Sequence, residues 1–206
     1  MCVKKFVLAA AIVVSCCSLG FANITGLNYS SDGDGSFVCS NYTWTGSVPD
    51  LTLGVYGDQY GATGHMLGTI DTDSPDDPSL TIRSTVDNDT GFDWTSYHVN
   101  VYMSVTNVLS GVIVYSPGDW TISITQQPVW NGTEFEGQLD LVGGAAITNG
   151  ASPALDFAYK LTFAGSSHYS FTQEMIAVPE PSPVELLTLS GLLLGAFAFV
   201  RQSRRS

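Results

Sequence analysis

Carboxylates are the residues of this chain best equipped for chemistry. Glu134 and Glu136 lie two apart in a run, Glu134 to Val142, that alternates like a strand. Both would then share a face with Gln138 and Asp140, while Phe135, Leu139 and Leu141 take the other. Two carboxyl groups on one face are the minimum equipment of a glycoside hydrolase, an acid beside a base or nucleophile. The same pattern is also the ordinary polar face of an antiparallel strand. A hollow lined by this pair with Trp120 or Trp130 would favour the enzyme; a flat, open sheet would not.

Oxygen donors also gather on three loops: Asp32-Gly33-Asp34, Asp71-Thr72-Asp73 with Asp76 and Asp77, and Asp87-Asn88-Asp89 with Asp93. Calcium takes about six to eight such oxygens. None of the three completes an EF-hand, because the obligatory glycine position falls on Phe37, Asp76 and Phe92 respectively. The candidate calcium set is therefore a non-EF one, Asp71, Asp73, Asp76 and Asp77, and no other cofactor is expected.

Other catalytic patterns are missing from the sequence. His65, His98 and His168 are far apart and outside any H-E-x-x-H, so packed or solvated histidines are expected. No G-x-S-x-G elbow occurs, and Gly54, Gly57, Gly61 and Gly64 lack the Lys-Ser/Thr of a phosphate loop. No catalytic residue is assigned, and a non-enzyme is expected.

The elements that must position these residues read as strands almost throughout. Tyr97, Val99, Val101, Met103 and Val105 alternate with His98, Asn100, Tyr102 and Ser104, the period of a half-buried antiparallel strand. Leu51, Leu53 and Val55 point inward over Leu51 to Tyr56, and Ser36 to Trp44 places Phe37, Cys39 and Asn41 on one side. Further runs are His65 to Ile70, Leu80 to Val86, Gly111 to Tyr115, Trp120 to Thr125, Asp156 to Phe163 and Tyr169 to Ile176. Between them lie turn clusters, of which Asn131-Gly132 is the sharpest hairpin signal. About ten short strands without a ten-residue helical period predict an all-β fold, a single β-sandwich or jelly-roll-like domain over residues 23–177. Trp44, Trp94, Trp120 and Trp130 are expected mainly in the core, with any exposed ones available to stack on sugar rings.

Residues 23–177 hold two basic residues, Arg83 and Lys160, against 17 acidic ones, a formal charge of −15. Such a surface repels phosphate backbones and excludes nucleic acid as a partner. Cys39 is the one cysteine in that span, so no internal disulfide is expected, and Cys39 should be a small buried residue on a strand. Five Asn-x-Ser/Thr triplets, at Asn23, Asn28, Asn41, Asn88 and Asn131, fit a Thr-rich, turn-rich β protein.

Both ends read as processing segments. Lys4 and Lys5, an apolar run from Phe6 and the small residues Gly20 and Ala22 predict a secretory leader over residues 1–22, cut between Ala22 and Asn23. A weaker lipoprotein-box reading would instead leave Cys16 lipidated. At the other end, Val178-Pro179-Glu180-Pro181-Ser182 opens a Pro-rich break over 178–183, expected to stay out of any sheet. An apolar stretch follows over 184–200; its 15-residue run from Leu186 would span about 22 Å as a helix, short for a bilayer core of ~30 Å. Arg201, Arg204 and Arg205 close the chain in a basic tail over 201–206, held on the cytoplasmic side by the positive-inside rule.

Residues 178–206, and only these, resemble a PEP-CTERM sorting signal. The resemblance implies a bacterial protein exported through its leader and tethered briefly in the inner membrane. An exosortase-type membrane protease would then process it, leaving the mature form at the cell surface or in the extracellular matrix. It also implies company with exopolysaccharide. Glu185 and the Ser/Thr-bearing apolar run depart mildly from that pattern. The domain in front is expected to be a structural or binding module; the alternatives are a carbohydrate-active enzyme or a calcium-stabilised adhesion or carbohydrate-binding module.

Overall fold

The computed structural model describes residues 24–45, 51–73, 78–163 and 168–180. Eleven strands make up this region, and it contains no helix. They are β1 (Ile24–Ser31), β2 (Phe37–Thr45), β3 (Leu51–Gln59), β4 (Thr63–Thr72), β5 (Ser79–Asn88), β6 (Trp94–Met103), β7 (Asn107–Ser116), β8 (Thr121–Trp130), β9 (Phe135–Ile147), β10 (Leu155–Phe163) and β11 (His168–Pro179). Ten of them overlap the runs read from periodicity. β1 was missed because ITGLNYSS carries little apolar alternation: only Tyr29 is fully buried.

Two sheets form, ordered β1-β4-β11-β6-β9-β8 and β2-β3-β5-β10-β7. All pairs are antiparallel except β3 with β5, which run parallel because β4 crosses to the other sheet between them. The inner faces meet in one apolar cluster, a sandwich-like arrangement. Tyr97, Val99, Val101 and Met103 line it as the alternation requires, and Leu53, Ile82, Phe157 and Leu161 face them from the second sheet.

Buried amides lock the two sheets in register. Gln173 of β11 accepts from the hydroxyls of Tyr159 at 3.0 Å and Tyr29 at 3.3 Å, and donates to Ser84 Oγ at 3.2 Å. Gln59 of β3 accepts from Tyr97 Oη at 2.5 Å and donates to the carbonyl of Gly61. Cys39, the one cysteine among the described residues, is free, so satisfied polar links of this kind specify which side chains face each other, since an unpaired buried amide is costly.

Several local expectations change. Glu134 lies in the β8–β9 turn rather than on a strand; Asn131 Oδ1 accepts from the backbone N–H groups of Thr133 and Glu134, and Gly132 takes φ 109°. Val105 falls just past the end of β6. A bulge after Cys39 shifts the β2–β3 register, so Asn41 leaves the inner face and Tyr42 and Trp44 take it. Cys39 itself is half-buried, its thiol 3.6 Å from the Asn41 carbonyl, and burial pushes its pKa up.

The last strand also runs further than expected. β11 pairs with β6 through Val178 opposite Ser96 and Pro179 opposite Trp94. Pro179 is accommodated because it sits at the strand's end, at a register shift, where no ladder N–H is required. The Thr95 hydroxyl lies 3.3 Å from the carbonyls of Val178 and Pro179, and Glu180 N donates to Asp93 O. The folded domain thus continues beyond residue 177 into the first three residues of the Pro-rich segment. The leader with Ala22 and Asn23, and the segment from Pro181 and Ser182 to Arg201, Arg204 and Arg205, lie outside the described residues.

Candidate functional site

The outer face of the six-stranded sheet carries a continuous polar row. Register sets it: His65 on β4 stands opposite Glu174 on β11, Glu174 opposite Asn100 on β6, Asn100 opposite Gln138 on β9, and Gln138 opposite Gln126 on β8. Strand alternation puts all of these outside because their neighbours Met66, Met175, Val101 and Leu139 are needed in the core.

Glu174 is the hub. Its Oε2 accepts from Asn100 Nδ2 at 2.7 Å and Tyr102 Oη at 2.9 Å, and its Oε1 lies 3.4 Å from His65 Nε2. Partial burial, helped by the Glu174 hydrogen bond and the Glu136 charge, pushes the Tyr102 hydroxyl well above its usual pKa. On the next row Glu136 stands opposite Tyr102 and accepts from Gln138 Nε2 and Asn131 Nδ2.

All three histidines keep solvent contact, as expected, and each is also the cross-strand partner of a carboxylate. His98 Nδ1 lies 2.8 Å from Asp140 Oδ1, and His168 Nδ1 2.5 Å from Asp71 Oδ1, each pair directly in register. His65 also reaches Asp32 Oδ2 at 3.3 Å through Nδ1. Donor atoms of Asp32, Asp34 and His65 lie within 4.8 Å of one another, a nitrogen and two carboxylates from the β1–β2 turn and β4. Within that turn Asp34 accepts from the Ser36 N–H at 2.7 Å and from its hydroxyl, which holds its pKa low.

Of the calcium set Asp71, Asp73, Asp76 and Asp77, only the first two are among the described residues. Asp71 is engaged with His168, and Asp73 ends the described stretch with Asp76 and Asp77 beyond it. A different acidic contact appears where β3 and β5 run parallel: Asp58 stands opposite Asp87, and Ser152 Oγ donates to Asp87 Oδ2 at 2.7 Å. Burial, then the charges of Asp87 and Asp89, raise the Asp58 pKa.

Glu134 lies in the turn before β9 and Glu136 on the strand, so strand alternation does not set the two on one face as read from the sequence. Trp120, 3% exposed, is sunk in the core with Nε1 donating to Ala145 O at 2.9 Å. Trp94 is fully buried, and Asn88, which opens the fourth of the five Asn-x-Ser/Thr triplets, is buried with its amide bonded to the carbonyls of Phe92 and Ile147. Trp44 and Trp130 remain exposed, but on strands at opposite edges of the sandwich, so they form no common platform.

One cleft opens where β1 and β2 meet. It measures about 280 Å³, is floored by Tyr29 and Cys39, and is walled by Ser30, Ser31, Ser40 and Tyr42. The opposite edge is closed: there Gln127 bonds both the N–H and the carbonyl of Leu109, stitching β8 to β7. No periodicity could reveal this difference, because it depends on how far two edge strands of different sheets lie apart. In comparisons with known proteins, no family model and no curated protein matches the chain.

Proposed function

We propose that this chain is an exported bacterial surface or extracellular-matrix protein, sorted through its C-terminal segment, whose β domain is a binding module. The observation that carries the reading is the order Val178-Pro179-Glu180-Pro181-Ser182, apolar run, Arg201, Arg204, Arg205, paired with an N-terminal leader. The domain suits such delivery: it is strongly acidic, needs no disulfide, and ends within three residues of where the sorting motif begins. In this account the leader directs export, the apolar stretch over 184–200 tethers the precursor in the inner membrane, and an exosortase-type protease processes it.

Surface proteolysis of intact native cells tests the topology. Added protease should remove the domain without lysis; a domain protected until the cells are broken overturns the reading. A second reading, a cation-stabilised module, is favoured by the convergence of Asp32, Asp34 and His65. Nitrogen with carboxylate suits a transition metal better than calcium. A melting temperature unchanged by EDTA would remove it.

A further inference from the structure

We propose that the β1–β2 cleft and the stretch of β2 just beyond it bind a neutral polysaccharide, stacked on Tyr42 in the cleft and on Trp44 two residues further along the same strand face; this rests on the binding-module reading above and names its ligand class. Tyr42 and Trp44 stand directly opposite Val55 and Leu53, both buried, so their side chains belong to the inner face of the five-stranded sheet. An inner-face position normally disappears into the sandwich. These two remain 38% and 41% exposed, because β2 is an edge strand and β1 approaches it only sparsely.

The bulge after Cys39 creates this display. Without it the strand would turn Asn41 and Thr43 inward and send both aromatic rings to the outer face. Two residues apart on one strand, the rings recur about 7 Å apart along β2, the first in the cleft and the second beyond its end. An amphipathic ring held at a rigid strand offers the apolar face of a pyranose a large contact at small entropic cost.

The walls supply hydrogen bonds of the matching kind. Ser30, Ser31, Ser40 and Asn41 contribute hydroxyls and an amide, and among the described residues no charged side chain lines the cleft. Ser40 Oγ donates to Tyr56 O at 3.1 Å, keeping its lone pairs as acceptors. The floor is fixed, since the Tyr29 hydroxyl is bonded inward to Gln173. A polyanion is disfavoured by the −15 charge of the domain, and an apolar peptide would strand the hydroxyl walls. A neutral polyol chain meets both demands.

The test is affinity electrophoresis of the detergent-solubilised full chain through gels containing dextran, mannan, a soluble β-glucan or, as a charged control, alginate. At least one neutral polymer should retard the protein and quench its tryptophan fluorescence, while alginate does neither. Trp44→Ala and Tyr42→Ala should each weaken that binding roughly tenfold or more, as loss of a central aromatic anchor does. Trp130→Ala, on the opposite edge, should bind as wild type. Thermal melts of each variant separate lost binding from lost folding, and Ser31→Asp, which puts a charge in the wall without removing a ring, should abolish binding in a folded chain. Retardation by none of the neutral polymers, or equal binding by folded Trp44→Ala, overturns the proposal. So does a dimer that Trp44→Ala dissociates with no polymer bound, which gives the cleft to a second copy. Surface exposure of the domain on cells is read independently, so loss of the cleft assignment leaves the export reading standing.

Discussion

His65 and Glu174 stand directly opposite each other on β4 and β11, with Nε2 3.4 Å from Oε1. Glu174 also takes hydrogen bonds from Asn100 and Tyr102 on β6, so one carboxylate joins three adjacent strands. Glu174→Ala should therefore destabilise the domain by about 1–2 kcal/mol, because two half-buried donors lose a charged acceptor. Glu174→Gln should recover part of it. Urea unfolding checks this; a midpoint unchanged in the alanine variant would mean that water replaces the carboxylate without cost.

Arg83 is the single described arginine, and it is fully used. Its guanidinium grips Asp156 with two bonds, 2.9 and 2.6 Å, and lies 4.3 Å above the Tyr115 ring. Asp156 is largely buried, so Arg83→Ala leaves a carboxylate without its partner and should cost about 1–2 kcal/mol, discounted for the exposure of the arginine. Arg83→Lys should not restore stability, since an ammonium cannot reproduce the fork. A lysine variant as stable as wild type in chemical denaturation would contradict the bidentate account.

Gly143 passes against the Trp120 indole so closely that an added Cβ would lie 2.1 Å from a ring carbon. Gly143→Ala must displace a tryptophan that is buried and hydrogen-bonded to Ala145 O, at a cost of about 1–3 kcal/mol. The melting temperature should fall and the tryptophan emission shift to the red. Unaltered emission would show that the backbone yields instead of the ring.

Like charges meet at Asp58 and Asp87, directly opposite on β3 and β5. The Asp58 pKa is raised by burial and by its acidic neighbours, so its contribution is full below the ordinary carboxylate range and is lost as pH rises through the raised value. Asp58→Asn should raise stability at neutral pH by about 0.5 kcal/mol and do little in mild acid. Denaturation midpoints near neutrality and in mild acid decide it; a gain equal at both would contradict the repulsion.

At the alkaline end the tyrosines govern. Burial lifts the hydroxyls of Tyr29, Tyr97 and Tyr159 well above their usual pKa, and Tyr102 follows from partial burial and Glu174. Raised folded values mean stability that is complete below the unfolded pKa of about 10 and falls as pH climbs past it. Urea midpoints should be level up to about pH 9 and drop steeply by about pH 11. A flat profile across that range would be inconsistent with buried, neutral tyrosines.

The fold was legible where one strand alone decides. Tyr97 to Met103 alternates so strictly that its inner and outer faces could be assigned from spacing, and His98, Asn100 and Tyr102 fell on the outer side as read. What spacing could not show was which strand lies alongside. Glu174 meets His65 from 109 positions further along the chain, after the path has changed sheet six times, a relation set by global pairing. Cys39 to Trp44 misled for a local reason: one bulge exchanged the faces of the strand beyond it, trading Asn41 for Tyr42. Pro179 misled because a proline bars the middle of a sheet but not its end.

The central claim, delivery by a leader and a severed C-terminal signal, is tested most directly by the intact mass of the protein purified from its native cells. The account predicts a mature form beginning at Asn23 and lacking the apolar stretch over 184–200 with Arg201, Arg204 and Arg205. Because β11 holds the chain through Pro179, the mass should also place the new C-terminus at or beyond Glu180. A mature protein that still ends at Ser206 would contradict the account and leave a plain membrane anchor in its place.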